Sequence, residues 1–189
     1  TVKGRKGDTV VDTDEQPLSA RPDKIPQLKP AFAKDGTITP ANSSSISDGG
    51  SALVLTTAGE AAKRGLKPMA RIVAHSRHSH APGRFTTAPV FAIEKLFAKT
   101  GWTKDSVDLF EINEAFAMVT MLAIRDLALD EAKVNVHGGA CAVGHPLGSS
   151  GSRIIVTLLY ALRHYGKQRG VASLCIGGGE ATAVAVEML

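Results

Sequence analysis

Two apolar runs separated by three glycines constrain this chain more than any other feature in it. Val171–Ile176 runs into Gly177-Gly178-Gly179, and Ala181–Met188, largely Ala and Val, follows as a second strand. Consecutive glycines let a backbone reverse within a few residues, so the pair reads as an antiparallel β-hairpin. Helix-like and strand-like periods alternate upstream of it. Ala70–Ala74 has the pattern of a strand, and Pro89–Lys99 spaces Val90, Ile93 and Phe97 as an amphipathic helix. Val107–Ile112 is a second strand, and Glu114–Leu127 carries Phe116, Val119, Leu122 and Ala123 on one helical face. A glycine-rich stretch from Gly138 to Gly151 precedes a strong helix, Ser152–Tyr165, stopped by Gly166. The order β-α-β-α-loop-α-β-β implies an α/β domain layered α-β-α, with helices covering a mixed sheet.

The region before residue 70 is different. Residues 1–41 hold prolines at 17, 22, 26, 30 and 40 with little periodicity, the pattern of an extended arm. Asn42–Gly50 is a turn cluster, Ser51–Thr57 reads as a buried strand, and Ala58–Arg64 reads as a short helix ended by Gly65. The division expected is therefore 1–41, 42–69 and 70–189. The N-terminus has no hydrophobic element of its own and reads as a cut end.

Composition removes several functional classes. Net charge is +4, but the basic residues are scattered and aromatics make up only 5%, which does not suit a nucleic-acid surface. No apolar run reaches the ~18 residues of a membrane helix. Cys141 and Cys175 lie in different segments, which fits two thiols in a reducing, cytoplasmic setting better than a disulfide scaffold. His75, His78 and His80 match no standard zinc spacing, so no metal is expected.

Three polar residues sit where strands or loops end, places from which side chains converge over the edge of a sheet. His145, in Gly144-His145-Pro146, could exchange a proton near neutral pH or donate from Nε2 to a developing oxyanion; it could equally be a loop histidine satisfied locally. Cys175 ends a strand before the three glycines and fits either a small core residue or a thiol close enough to neutrality to move protons. Asn113, in Asn113-Glu114-Ala115-Phe116, suits an oxyanion contact and also suits the cap of a helix starting at Glu114. Gly148-Ser149-Ser150-Gly151 has the look of an anion site at a helix start but lacks the lysine of a phosphate-binding loop. Glu111 and Glu114 form a possible carboxylate pair.

Taken together, Asn113–Ala117, Asn135–Gly151 and Cys175–Gly179 resemble, in order and spacing, the C-terminal half of the thiolases. Asn42–Gly49 is similar to the serine-containing stretch that meets the pantetheine arm of coenzyme A, and Lys3–Asp8 and Leu28–Phe32 are similar to thiolase loop-domain sequence. The resemblance implies the C-terminal half of the thiolase fold: a loop-domain remnant over 1–41, the end of the N-terminal domain over 42–69, and the C-terminal domain over 70–189. It implies acetyl-CoA C-acetyltransfer, a reversible Claisen condensation or thiolysis of acyl-CoA thioesters, with coenzyme A as substrate and no further cofactor. The nucleophilic cysteine of the family is not in this sequence, so a fragment inactive alone is expected, together with its N-terminal half and a homo-oligomer, dimer or tetramer. By resemblance, His145 activates the absent thiol and, with a water held by Asn113, forms one oxyanion hole; Gly177 N–H lines another. Cys175 moves the substrate proton, Ser44 meets pantetheine, and Phe116 and Phe85 wall the acyl pocket. Phe85 stands where many short-chain members carry Met, and Cys141 and His137 also depart from the family pattern, which implies an altered acyl pocket. A non-catalytic thiolase-like subunit and a Cys175–His145 hydrolase are the competing readings.

Overall fold

The computed structural model describes residues 1–189, which divide into two compact units, Thr1–Ala41 and Asn42–Leu189. In the first unit, β1 (Val2–Gly4) and β2 (Gly7–Thr9) form a short antiparallel hairpin. Helix α1 (Glu15–Ser19) follows, its first turn capped by Asp14, whose carboxylate accepts from Gln16 N at 3.0 Å. A 3-10 turn spans Pro22–Gln27. None of these residues is buried, so the unit has no core, although the arm expected from its prolines does hold a hairpin and a helical turn.

The second unit opens with irregular chain and α2 (Ala58–Lys63), capped by Thr57 and followed by Gly65 in the left-handed region. The strand expected over Ser51–Thr57 does not form. No other segment pairs with that backbone, and Val54 and Leu55 are exposed; an isolated strand has nothing to satisfy its ladder groups or cover its apolar side chains.

Strand β3 (Ala70–Ser79) is longer than its apolar core, and α3 (Ala88–Thr100) follows it. Then come β4 (Leu109–Ile112), α4 (Ala117–Leu127), the single turn α5 (Ala140–Val143), α6 (Ser150–His164), β5 (Arg169–Ile176) and β6 (Glu180–Met188). The sheet order is β3-β6-β5-β4, with β4 and β5 parallel and the other pairs antiparallel. It is a mixed sheet, and its centre is the glycine hairpin. Cys175 pairs with Ala181 and Ile176 with Glu180, while Gly178 and Gly179 turn the chain at φ of 96° and 91°.

Strand alternation assigns the two faces. Phe110, Ile112, Val171, Ala183 and Ala185 share one apolar cluster with Ile93 and Leu96 of α3 and Val119 and Ala123 of α4. Leu109, Ala172 and Val186 share the other with Ile154, Leu158 and Leu162 of α6. The result is three layers, α3 and α4 over one face and α6 over the other. Each fully buried Leu or Ile contributes ~1.5–3 kcal/mol relative to exposure, so the helices are fixed mainly by this packing.

Candidate active site

The site begins where the two parallel strands end. Asn113 N donates to Ser173 O at 2.9 Å, extending the β4–β5 ladder one residue past β4. Asn135 braces the same end: its Oδ1 accepts from Ile112 N at 2.8 Å and its Nδ2 donates to Ile112 O at 2.9 Å. The chain does not then enter a helix at Glu114, as its periodicity suggests. Phe116 bridges Ser43, and both Ser44 N (3.2 Å) and Ser44 Oγ (3.0 Å) donate to Ala115 O. These cross-chain bonds keep the segment extended, and α4 starts at Ala117 with Phe116 at its cap position. Asn113 is therefore no helix cap. It is 2% exposed, its Oδ1 has no hydrogen-bond partner, and its Nδ2 lies 3.4 Å from Nε2 of His145.

His145 is held along its backbone and its ring. Its N–H donates to Ser45 O at 2.8 Å, and Ile46 bridges it in parallel. The approach is so close that a side chain at Gly144 would sit 2.2 Å from Ser47 Oγ, and Gly144 also has φ of 81°. On the ring, Nδ1 lies 2.6 Å from Ser150 Oγ, whose hydroxyl also reaches Pro146 O at 3.1 Å. When that hydroxyl donates to Pro146 O it accepts from Nδ1–H and the lone pair falls on Nε2; when it donates to Nδ1, Nε2 carries the proton. Either way Nε2 faces the Asn113 amide. Burial, reinforced by the positive charge of Arg153, lowers the His145 pKa and favours the neutral ring.

Cys175 lies at the matching end of β5, buried, in the apolar cluster that also contains Phe85 and Phe116. Those two rings meet edge to face with centroids 6.2 Å apart. Burial pushes the Cys175 thiol up to about 11, which corrects the expectation of a thiol near neutrality. Its surroundings are apolar, and a thiolate needs a cation or aligned amides to form there. No hydrogen bond links Cys175 to Asn113 or His145. The two groups are related through the 113–116 segment, whose Asn113 touches His145 and whose Phe116 packs with the Cys175 cluster. Gly177 is exposed at the hairpin tip, and a Cβ there would meet nothing within 4 Å.

Other sequence candidates resolve differently. The amides of Ser149 and Ser150 both donate to Pro146 O at 2.8 Å, and Ser149 Oγ lies 2.7 Å from Ser51 Oγ, so the groups expected to bind an anion are already engaged within the protein. A cavity of about 320 Å³ lies between Ser47–Ser51 and Pro146–Ser149, along the loops that carry Ser45 and His145. Another, about 430 Å³, is lined by His137, Tyr160, Arg163 and His164 and contains none of the residues above. His78 stacks on Phe91 with centroids 4.7 Å apart, and His80 meets the same ring edge-on.

Residues 66–188 match the family described as "Thiolase, C-terminal domain", and residues 1–59 match "Thiolase, N-terminal domain". The chain belongs to the thiolase family. It is 48% identical over 189 residues to a probable acetyl-CoA acetyltransferase of Dictyostelium discoideum, covering 100% of this chain and 46% of that protein. It is 49% identical over 189 residues to the cytosolic acetyl-CoA acetyltransferase of Mus musculus, covering 98% and 48%. Among solved structures, the Bacillus anthracis acetyl-CoA acetyltransferase superposes with a TM-score of 0.90 at 41% identity, over 100% of this chain and 48% of that one. A thiolase from Ascaris suum in complex with coenzyme A superposes with a TM-score of 0.85 at 40% identity, over 95% and 47%. This thiolase chain thus spans about half the length of the curated relatives it matches.

Several residues that shape this candidate site escape a reading of the sequence. Ser150 and Ser45 act on His145 by a hydroxyl and a backbone carbonyl, roles that any serine in a turn could have. Glu114 looked like half of a carboxylate pair, but its Oε2 accepts from Cys141 N at 3.0 Å and its Oε1 from Asn135 Nδ2 at 3.4 Å. It ties the 113–116 segment to the loop leading to His145. Burial, with the nearby Glu114 charge, pushes Cys141 up to about 11.

Proposed function

We propose that this chain supplies the acid–base half of an acetyl-CoA acetyltransferase site, acting with an N-terminal half that carries the acyl-accepting cysteine. The observation that supports the reading is the position of His145, its Nε2 facing the Asn113 amide and its Nδ1 held by Ser150, in surroundings that favour the neutral ring. In the proposed sequence, Nε2 removes the proton of the partner cysteine, and the thiolate attacks the thioester carbonyl. The C–S bond to coenzyme A breaks, and the leaving thiolate takes the proton of Cys175. A thiol held at about 11 is protonated at rest, and its thiolate is then a strong base. It removes the α-proton of a second acetyl-CoA. The enolate oxygen is stabilised by protonated Nε2 and by a water held on Asn113, while Gly177 N–H receives the oxyanion of the acylated cysteine. The enolate carbon attacks that carbonyl, and the partner cysteine leaves as acetoacetyl-CoA forms. Its thiolate recovers the His145 proton.

Phe85 and Phe116, packed edge to face, are the proposed walls of the acyl pocket. Ser44, fixed to Ala115 O beside the site, is the proposed pantetheine contact. Ile46, Val54 and Leu55 are exposed within 42–69; we assign this segment to the end of the N-terminal domain, where the other half covers it, and 70–189 to the C-terminal domain. A homo-oligomer is proposed for the assembled protein, and a cytoplasmic setting fits the name of the mouse relative. No helix is long and apolar enough to cross a membrane. A Cys175–His145 hydrolase is less well supported, since a buried, protonated thiol with no bond to the imidazole lacks its base.

The test is to join the chain to the N-terminal half of the Bacillus anthracis relative and follow thiolysis of acetoacetyl-CoA. His145→Ala is expected to lower kcat by more than the ~10²–10³ of one oxyanion donor, because it removes base and donor together. A His145→Ala rate equal to the parent's would refute the assignment.

A further inference from the structure

We propose that Arg153 is a positioning residue for His145, clamping the Gly144–His145 peptide through its carbonyl. The inference rests on the reading of His145 as the base. One peptide unit is held at both ends: Arg153 Nη1 donates to Gly144 O at 2.8 Å, and His145 N–H donates to Ser45 O at 2.8 Å. Ser150 and Arg153 are three residues apart on α6, so they share a face of the helix. One serves the ring nitrogen and the other serves the backbone that carries the ring. A rotation of that peptide would move Nε2 away from Asn113, and Gly144, at φ of 81°, supplies little resistance of its own.

A half-buried guanidinium is costly unless its charge is compensated. Glu111 is the acid that acts on it, but burial favours its neutral form, so it offsets little of that charge and the bond to Gly144 O is the contact that holds Arg153 in place. Glu111 lies on β4 two residues before Asn113, is 4% exposed, and Arg153 acts on it electrostatically without forming an ion pair. Its Oε1 has no hydrogen-bond partner. Glu114 is the other charge acting on Glu111. Arg153 also acts on the imidazole itself, as the charge that opposes its protonation.

The test is NMR titration of ¹³C-labelled histidine in the full chain, with the His145 resonance assigned by its loss in His145→Gln. Arg153→Met keeps much of the side-chain volume and removes the charge and the donor, and the His145 midpoint is expected to rise. In the enzyme assembled with an N-terminal half, kcat is expected to fall ~10–100-fold with KM little changed, the effect of misplacing a catalytic group. A midpoint and kcat both unchanged would overturn the proposal. Should Arg153→Met fail to fold, Arg153→Lys serves: the midpoint stays while kcat falls, and an unchanged kcat overturns the clamp. Because the titration is read without turnover, an inactive parent enzyme would count against the thiolase reading and leave the clamp to be judged on the midpoint.

Discussion

Glu111→Gln offers the sharpest quantitative test of how this domain is built. The carboxyl is pushed from its usual 4.5 up to about 8, first by burial and then by the Glu114 charge, with Arg153 acting in the opposite direction. A raised folded pKa means that the native state holds its proton more tightly than the unfolded chain. The stability this brings is fully present below pH 4.5 and is lost as pH rises through about 8. At about 1.4 kcal/mol per pH unit over that interval, the ceiling is ~5 kcal/mol. Glutamine has nearly the same shape and does not ionise, so the variant lacks this slope. Urea unfolding of the chain at pH 5, 7 and 9, followed by fluorescence of Trp102, its single tryptophan, reads the difference. Wild type is expected to lose ~2–5 kcal/mol relative to Glu111→Gln between pH 5 and 9, a relative midpoint change of ~1–2 M for a typical urea slope. Titrations common to both proteins cancel, and both thiols, at about 11, stay protonated across the range. Parallel pH profiles would mean that Glu111 is already ionised in the native state and would refute the reasoning from its burial.

Ser150→Ala should lower kcat of the assembled enzyme ~10-fold or more, because His145 loses the hydroxyl that holds its Nδ1; equal rates would show that Ser150 is dispensable. Iodoacetamide should label neither Cys141 nor Cys175 appreciably at pH 7, with labelling rising toward pH 11, as read by intact mass; rapid modification of Cys175 at neutral pH would contradict its burial. Leu158→Ala, at the fully buried centre of the α6 face, should cost ~2–5 kcal/mol in urea unfolding. Gly144→Ala should reduce folding yield or activity, since the new methyl meets Ser47 Oγ and the backbone stays at positive φ.

The parts of the fold that local chemistry decides were legible in the sequence. The hairpin followed from the three glycines, α6 from its leucine spacing, and the layer order from the alternation of periods. The errors share one physical origin. Ser51–Thr57 has strand composition, but composition cannot supply a neighbour, and no segment of this chain pairs with it. The 113–116 segment has helical periodicity, but bonds from Ser43 and Ser44, some 70 residues away, hold it extended.

The same distinction runs through the site. His145, Asn113 and Cys175 could be singled out because each stands at the end of a strand or in a loop, His145 between glycine and proline and Cys175 just before three glycines. Their protonation states could not, since these depend on surroundings drawn from distant segments. The ring of His145 is held by Ser150, a hydroxyl that only the turn opening α6 brings to Nδ1. The high pKa of Cys175 follows from burial on the β5 face covered by α3 and α4. Asn113 is available to His145 only because it caps no helix, and it caps none because Ser43 and Ser44 hold the chain extended. By bonding to Ala115 O on one side and supplying Ser45 O to His145 N on the other, the serine segment sets the relative positions of the amide and the imidazole.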